Sequence, residues 1–195
     1  LAQLCCEKKY QFTQISSGCI YGGYEKHFTE KDTPNFDFQN GSFYSGTKAL
    51  AEKVVLQNNP NSYVFRLRIP FDQYASPRNY LTKLLSYDTL LDAENSLSHR
   101  ADFAKYVMEL INQEVPHGIY NVTNKGSVTT KDVVELIKKH NLSNKDFKFF
   151  DDLESFGKET IAPRSNCVLD TTKIEQYTKI RTATEALEES ISKYK

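Results

Sequence analysis

The chain has 195 residues, 25 basic and 25 acidic side chains, a formal net charge of +0, and 39% hydrophobic against 26% charged residues. Charges of both signs are interspersed, so no long-range field draws nucleic acid or an anionic membrane to it. No apolar run approaches the roughly 20 residues that span a bilayer.

This length suits one good core, or one and a half small ones. Four cysteines (Cys5, Cys6, Cys19, Cys167) include an adjacent pair without CxxC spacing, and the four histidines are scattered. Free thiols in a reduced, cytoplasmic chain, with no metal site, are the expectation. The opening LAQLCCEKKY carries its charges after a very short apolar run, unlike a secretory leader. It reads as the second half of a helix, so the chain is expected to lack an N-terminal portion.

YQFTQISSGCIYGG, residues 10–23, is rich in β-branched and aromatic residues and ends in two glycines, which predicts a strand running into a loop. A polar loop follows over 24–41. From Ser42 the apolar residues Ala49, Leu50, Val54 and Val55 recur at helical spacing, and NNPN stops that helix near Gln57. SYVFRLRIP predicts a second strand ended by Pro70, with Arg66 and Arg68 expected to pair with carboxylates across the sheet.

A short helix is predicted in SPRNYLTKLLSY and an amphipathic one in ADFAKYVMELINQ, with Asp102 near its start. GIYNVTN predicts a third strand. TTKDVVELIKKHN predicts a helix capped by Thr129 or Thr130. TEALEESISKY closes the chain as a helix, with Thr182 and Glu185 at capping-box spacing. Strands alternating with helices argue for an α/β fold with a mostly parallel sheet.

The helix from Ser42 carries FYSGTKALAEK, in which Tyr44 and Lys48 stand four residues apart on one face. A lysine ammonium near a phenol favours phenolate and lowers the tyrosine pKa. Such a tyrosine can protonate a carbonyl oxygen as a hydride reaches its carbon. The spacing alone recurs by chance in a tyrosine-rich chain. Upstream, however, a strand ends in ISSGCIYGG, and a serine there can hydrogen-bond the same oxygen. Strand alternation places Ser17 and Cys19 on one face, Ser16 and Gly18 on the other.

Strand end, polar loop, Tyr-x-x-x-Lys helix and RLRIP together resemble the extended short-chain dehydrogenase/reductases. The segments GSFYSGTKALAEKVV, RLRIPFDQYASPRNYLTKLL, GIYNVTNKGSVTTKDVVELI and IAPRSNCVLDTTKI sharpen this. They are similar to the bifunctional nucleotide-sugar 3,5-epimerase/4-reductases that complete UDP-L-rhamnose synthesis in plants and giant viruses. The likeness runs over nearly the whole chain.

The resemblance implies a Rossmann-like parallel sheet with a smaller mixed α/β substrate-binding region. Residues 1–72 would belong to the dinucleotide-binding domain and 73–195 mainly to the substrate region, with segments returning to the first. It makes Ser17, Tyr44 and Lys48 the reductase triad, with Tyr44, Lys48 and Pro70 against NADPH or NADH. It matches Cys19 to an acid/base cysteine of the epimerising relatives and Lys83 to its partner lysine. The spacing does not say which of the two is base and which acid. Epimerisation at C3 and C5 needs one group to take a proton and another to return one on the opposite face. The enolate between them can use the same oxygen-binding pair.

Nucleotide-sugar 4,6-dehydratases carry an Asp-Glu pair after the strand-end serine or threonine. Gly18 and Cys19 stand there instead, which argues against dehydration. For a nucleotide-sugar diphosphate, Arg164 in APRSN is the natural candidate, since a guanidinium fork suits phosphate oxygens. Asn166, Arg78 and Asn79 complete the candidate substrate set.

None of the eight glycines forms the dinucleotide fingerprint. The resemblance places that turn upstream of the point matching Leu1, so this stretch alone is expected to show little or no activity. Two further readings remain: a reductase-like subunit that binds a nucleotide or regulates a partner without turnover, and a reductase lacking epimerase activity. The relatives also imply a homodimer through the Tyr44 helix.

Overall fold

Strand β2 (Ser62–Leu67), almost wholly buried, is the centre of the main sheet. Strand β1 (Phe12–Ser17) lies parallel to it on one side, with Ser17 level with Leu67. The β6 strand (Gly118–Asn121) is parallel on the other. The computed structural model describes residues 1–152, 155–157 and 163–195. Its mixed α/β architecture is the one expected, and the main sheet draws strands from both sides of residue 72.

The two faces of β2 follow the period of two. Tyr63 and Phe65 pack with Tyr106, Val107 and Leu110 of helix α4 (Arg100–Asn112). Val64 packs with Val55 of helix α2 (Phe43–Asn58) and with Ala2 of helix α1 (Ala2–Glu7). Beyond β2 the chain makes two short parallel ladders. In one, β3 (Pro70–Phe71) pairs with β5 (Ser98–His99). In the other, β4 (Thr89–Leu90) pairs with β7 (Lys148–Phe149).

Helices α3 (Tyr80–Ser86), α5 (Thr130–Lys139) and α6 (Ala183–Ser192) enclose these ladders around a second core that includes Phe71, Leu81, Val133 and Leu187. Thr129 is the cap of α5, in a capping box with Asp132, and Thr182 and Glu185 form the same box on α6.

Two expectations are corrected. The first strand stops at Ser17 instead of continuing towards Gly23, because the chain turns into a 3-10 helix over Gly18–Ile20. The Ser17 hydroxyl caps that turn, accepting from the Cys19 N–H at 3.2 Å. Strand alternation therefore does not carry through to Cys19. A Cβ at residue 18 would stand 2.7 Å from Leu169 Cδ1, so glycine is what lets the turn lie against the buried Leu169.

The arginines behave differently from each other, and neither pairs across the sheet. Arg66 reaches down into α2, where Glu52 takes its Nη2 at 2.6 Å and its Nε at 3.0 Å. The same carboxylate accepts the Ser16 hydroxyl at 2.5 Å, and Arg66 Nη1 donates to Tyr21 Oη at 2.9 Å. Arg68 meets no carboxylate among the described residues. It donates to Asn95, Ser165 and Cys19.

Replacing Glu52 with Ala strands a buried guanidinium, and the expected loss is about 3–5 kcal/mol of stability in urea unfolding. An unchanged midpoint would show that α2 is held by packing alone. Gly18→Ala presses a methyl on Leu169 and is expected to cost about 1–3 kcal/mol in the same assay.

Candidate active site

Three elements converge at the carboxyl end of β1. Ser17, 2% exposed, closes the strand, and Cys19, partly buried, sits in the 3-10 turn that follows. Helix α2 begins beside them. Ser42 caps it, accepting from the Ser45 N–H at 3.1 Å, and Tyr44 lies in its first turn. Gly46 is a glycine by necessity: a Cβ there would come within 2.4 Å of the Phe38 ring, which packs the preceding loop onto the helix.

Tyr44 is 52% exposed overall, and its hydroxyl lies near the buried Ser17 side chain. Burial raises its pKa above the ordinary phenol value, and Ser17 works in the opposite direction. The downward shift expected from Lys48 is not what this arrangement gives. The Lys48 ammonium lies over the ring, 5.7 Å from its centroid, and donates to the Ile15 carbonyl at 3.4 Å. It takes no part in the shift of the phenol. A tyrosine held in its neutral form remains a proton donor through neutral pH, as protonating a carbonyl oxygen requires. Tyr21, with its pKa pushed up to about 12 chiefly by burial, is by contrast locked to Arg66 and to the Asp32 carbonyl.

Beyond β3 a cavity of about 260 Å³ brings Pro70, Arg78, Lys83, Arg164 and Asn166 together. Its described lining has three basic side chains and no carboxylate, beside the rings of Tyr80, Tyr87 and Phe156. That combination suits an anionic ligand with a flat ring.

Asn79 is not among the groups the cavity gathers. It is fully buried, its Oδ1 caps α3 through the Leu81 N–H at 3.0 Å, and its Nδ2 donates to Asp72 and to the Tyr74 carbonyl. Its amide is occupied in building the turn that presents Arg78.

Cys19 and the cavity are joined through side chains that the sequence reading did not select. Arg68 Nη1 approaches the Cys19 sulfur at 3.6 Å, and Nε donates to Asn95 Oδ1 at 3.2 Å. Asn95 lines the cavity and donates to Asn166 Oδ1 at 3.1 Å. A signal for Arg68 was present. Val64, Arg66 and Arg68 share one parity, and the facing helix α2 holds a single acid, Glu52, enough for one arginine only. Among the described residues no group of three or more His, Cys, Asp or Glu side chains is placed to hold a metal ion. No described helix is long and apolar enough to cross a membrane.

Comparison with known proteins gives the chain a family. An Arabidopsis thaliana protein named bifunctional dTDP-4-dehydrorhamnose 3,5-epimerase/dTDP-4-dehydrorhamnose reductase is 35% identical over 183 residues. The match covers 90% of this chain and 59% of the relative, so the chain spans under two thirds of that protein. The crystal structure of the UDP-rhamnose synthase of Acanthamoeba polyphaga mimivirus superposes with a TM-score of 0.90 at 28% identity, covering 99% of this chain and 68% of that one. A dTDP-4-dehydrorhamnose reductase from Bacillus anthracis, solved in complex with NADP, shares the fold with a TM-score of 0.78 at 15% identity, over 99% of this chain and 68% of its own. The family model of the RmlD substrate binding domain matches residues 1–195, and the chain belongs to that family.

Proposed function

We propose that the gene product carrying this chain epimerises UDP-4-keto-6-deoxyglucose at C3 and C5 and reduces its C4 ketone, giving UDP-L-rhamnose. The observation that carries the reading is the meeting of Ser17, Cys19 and Tyr44 at one strand end, next to a basic cavity that includes Lys83. The names of the Arabidopsis and mimivirus proteins point to the same substrate class.

In this reading the ketone oxygen sits between the Ser17 and Tyr44 hydroxyls. Ser17 already accepts the Cys19 N–H, which leaves its own proton for the ketone. Tyr44, kept neutral, gives its proton as negative charge reaches that oxygen. During epimerisation the same two donors stabilise the enolate, while Cys19 and Lys83 exchange protons with the carbons on either side of the ketone. Arg78 and Arg164 bind the diphosphate, and Asn166 adds a neutral hydrogen bond.

The residues present fit a nicotinamide cofactor, NADPH or NADH. Lys48 makes one long protein hydrogen bond, so donors remain for ribose hydroxyls, and Tyr44 and Pro70 are the other residues assigned to the cofactor in this reading. A reduced nicotinamide supplies the hydride for C4. Lys48 orients the ribose and lends positive charge to the site.

The protein is further taken to act as a cytoplasmic homodimer through α2. Phe43, Leu50 and Val54, on one stripe of that helix, are 79%, 52% and 46% exposed. Only Ala49 and Val55 of the apolar residues read there pack inward, so half of that face lacks a cover within one chain.

Proton NMR of UDP-4-keto-6-deoxyglucose in deuterium oxide, with NADPH and the full-length gene product, tests the proposal. Deuterium at C3 and C5 together with UDP-L-rhamnose is the expected result. Reduction without deuterium would leave a simple reductase. Tyr44→Phe is expected to lower the reduction rate by roughly a hundredfold or more with an unchanged fold, and near-normal reduction in that variant would sink the assignment. Cys19→Ala is expected to slow deuterium incorporation first, and unchanged exchange would remove the thiol from the mechanism.

A further inference from the structure

Buried arginines ordinarily face a carboxylate, as Arg66 faces Glu52. Arg68 does not. It is 0% exposed, and all five of its N–H groups are directed at acceptors that carry no charge in their ordinary state. Nε and Nη2 converge on Asn95 Oδ1, Nη2 also meets the Ser165 carbonyl at 2.5 Å, and Nη1 is shared between Ser165 Oγ at 3.1 Å and Cys19 Sγ at 3.6 Å. The fork is clamped on two sides by Asn95 and Ser165, and the remaining direction points at sulfur.

We propose that Arg68 is the positioning residue for Cys19: it aims the sulfur and provides the counter-charge for its anion. This rests on the epimerase reading above. The sulfur is the group within hydrogen-bonding reach of the guanidinium, among the described residues, that can become an anion. Tyr44 and Cys167 are the titratable groups on which Cys19 itself acts. Burial pushes the Cys167 thiol up to about 11, and its Sγ is turned to the Gly18 carbonyl. Neither supplies positive charge; Arg68 is the cation in contact with the sulfur.

With Arg68 as counter-charge, Cys19 is the proton acceptor in this proposal. Its anion takes a proton from the carbon next to the ketone. An S–H bond forms as the C–H bond breaks, and the electron pair moves onto the ketone oxygen held by Ser17 and Tyr44. Lys83, as ammonium, returns a proton to carbon from the other face as the electron pair comes back from oxygen; the thiol then gives its proton to solvent and the Lys83 amine takes one from it.

Iodoacetamide labelling with peptide mass spectrometry reads the sulfur directly, without turnover. In the full-length protein at pH 7, Cys19 is expected to alkylate about tenfold faster than Cys6, although Cys6 is the more exposed. Arg68→Met is expected to slow Cys19 by about tenfold and leave Cys6 unaffected, with Arg68→Lys restoring part of the rate. Deuterium incorporation at C3 and C5 should fall and recover in step. Cys19 reacting no faster than Cys6 in the native protein overturns the proposal even if Arg68→Met does not fold. So does an unchanged Cys19 rate in a folded Arg68→Met. Fast, Arg68-dependent labelling without any deuterium incorporation in the native protein upholds the Arg68 assignment and overturns the epimerase reading.

Discussion

The buried pair of Arg66 and Glu52 ties the two halves of the candidate site together. Glu52 belongs to α2, which carries Tyr44 and Lys48, and Arg66 belongs to the central strand. Through the same carboxylate Ser16 connects β1, and through the same guanidinium Tyr21 connects the loop after the 3-10 turn. A buried ion pair is a costly way to gain stability, since desolvation offsets much of the attraction. What it provides here is register. It sets where α2 lies along the sheet, and so where Tyr44 stands relative to Ser17, which is β1's last residue and the neighbour of Ser16.

With that distance set, the local chemistry follows from a few short contacts. Ser17 cannot turn away, because its oxygen caps the 3-10 helix. Tyr44 meets it from the first turn of α2, where the backbone is held by the Ser42 cap and by Phe38 lying across Gly46. Lys48 lies one turn further on, above the ring and free to serve a ligand. The phenol's upward shift, which burial dominates, keeps it protonated through neutral pH.

Much of this was legible in the residues because it is local. Helix α2 shows its cap, its stop and its Tyr-x-x-x-Lys pair within 16 residues, and the boxes at Thr129 and Thr182 each need four positions. The end of β1 was harder. Its composition stays strand-like to Tyr21, and only contact with Leu169, far along the chain, explains why it must turn at Gly18. Asn79 read as a ligand group because Asn beside Arg suits phosphate, whereas the fold uses its amide to close a turn. The ladders β3–β5 and β4–β7 are two residues deep, below what alternation can signal. Arg68 was misassigned for the same reason of distance: its acceptors lie 27 and 97 positions away.

Those separations also set an order of assembly. Glu52 and Arg66 are 14 positions apart, so a growing chain can lock the Tyr44 helix to the sheet soon after β2 has been made. The clamp on Arg68 closes only when Ser165, 97 positions further along, arrives. The contacts that orient the tyrosine helix are therefore short in sequence and those that surround the cysteine are long, so the two sides of one strand end depend on closures of very different chain length.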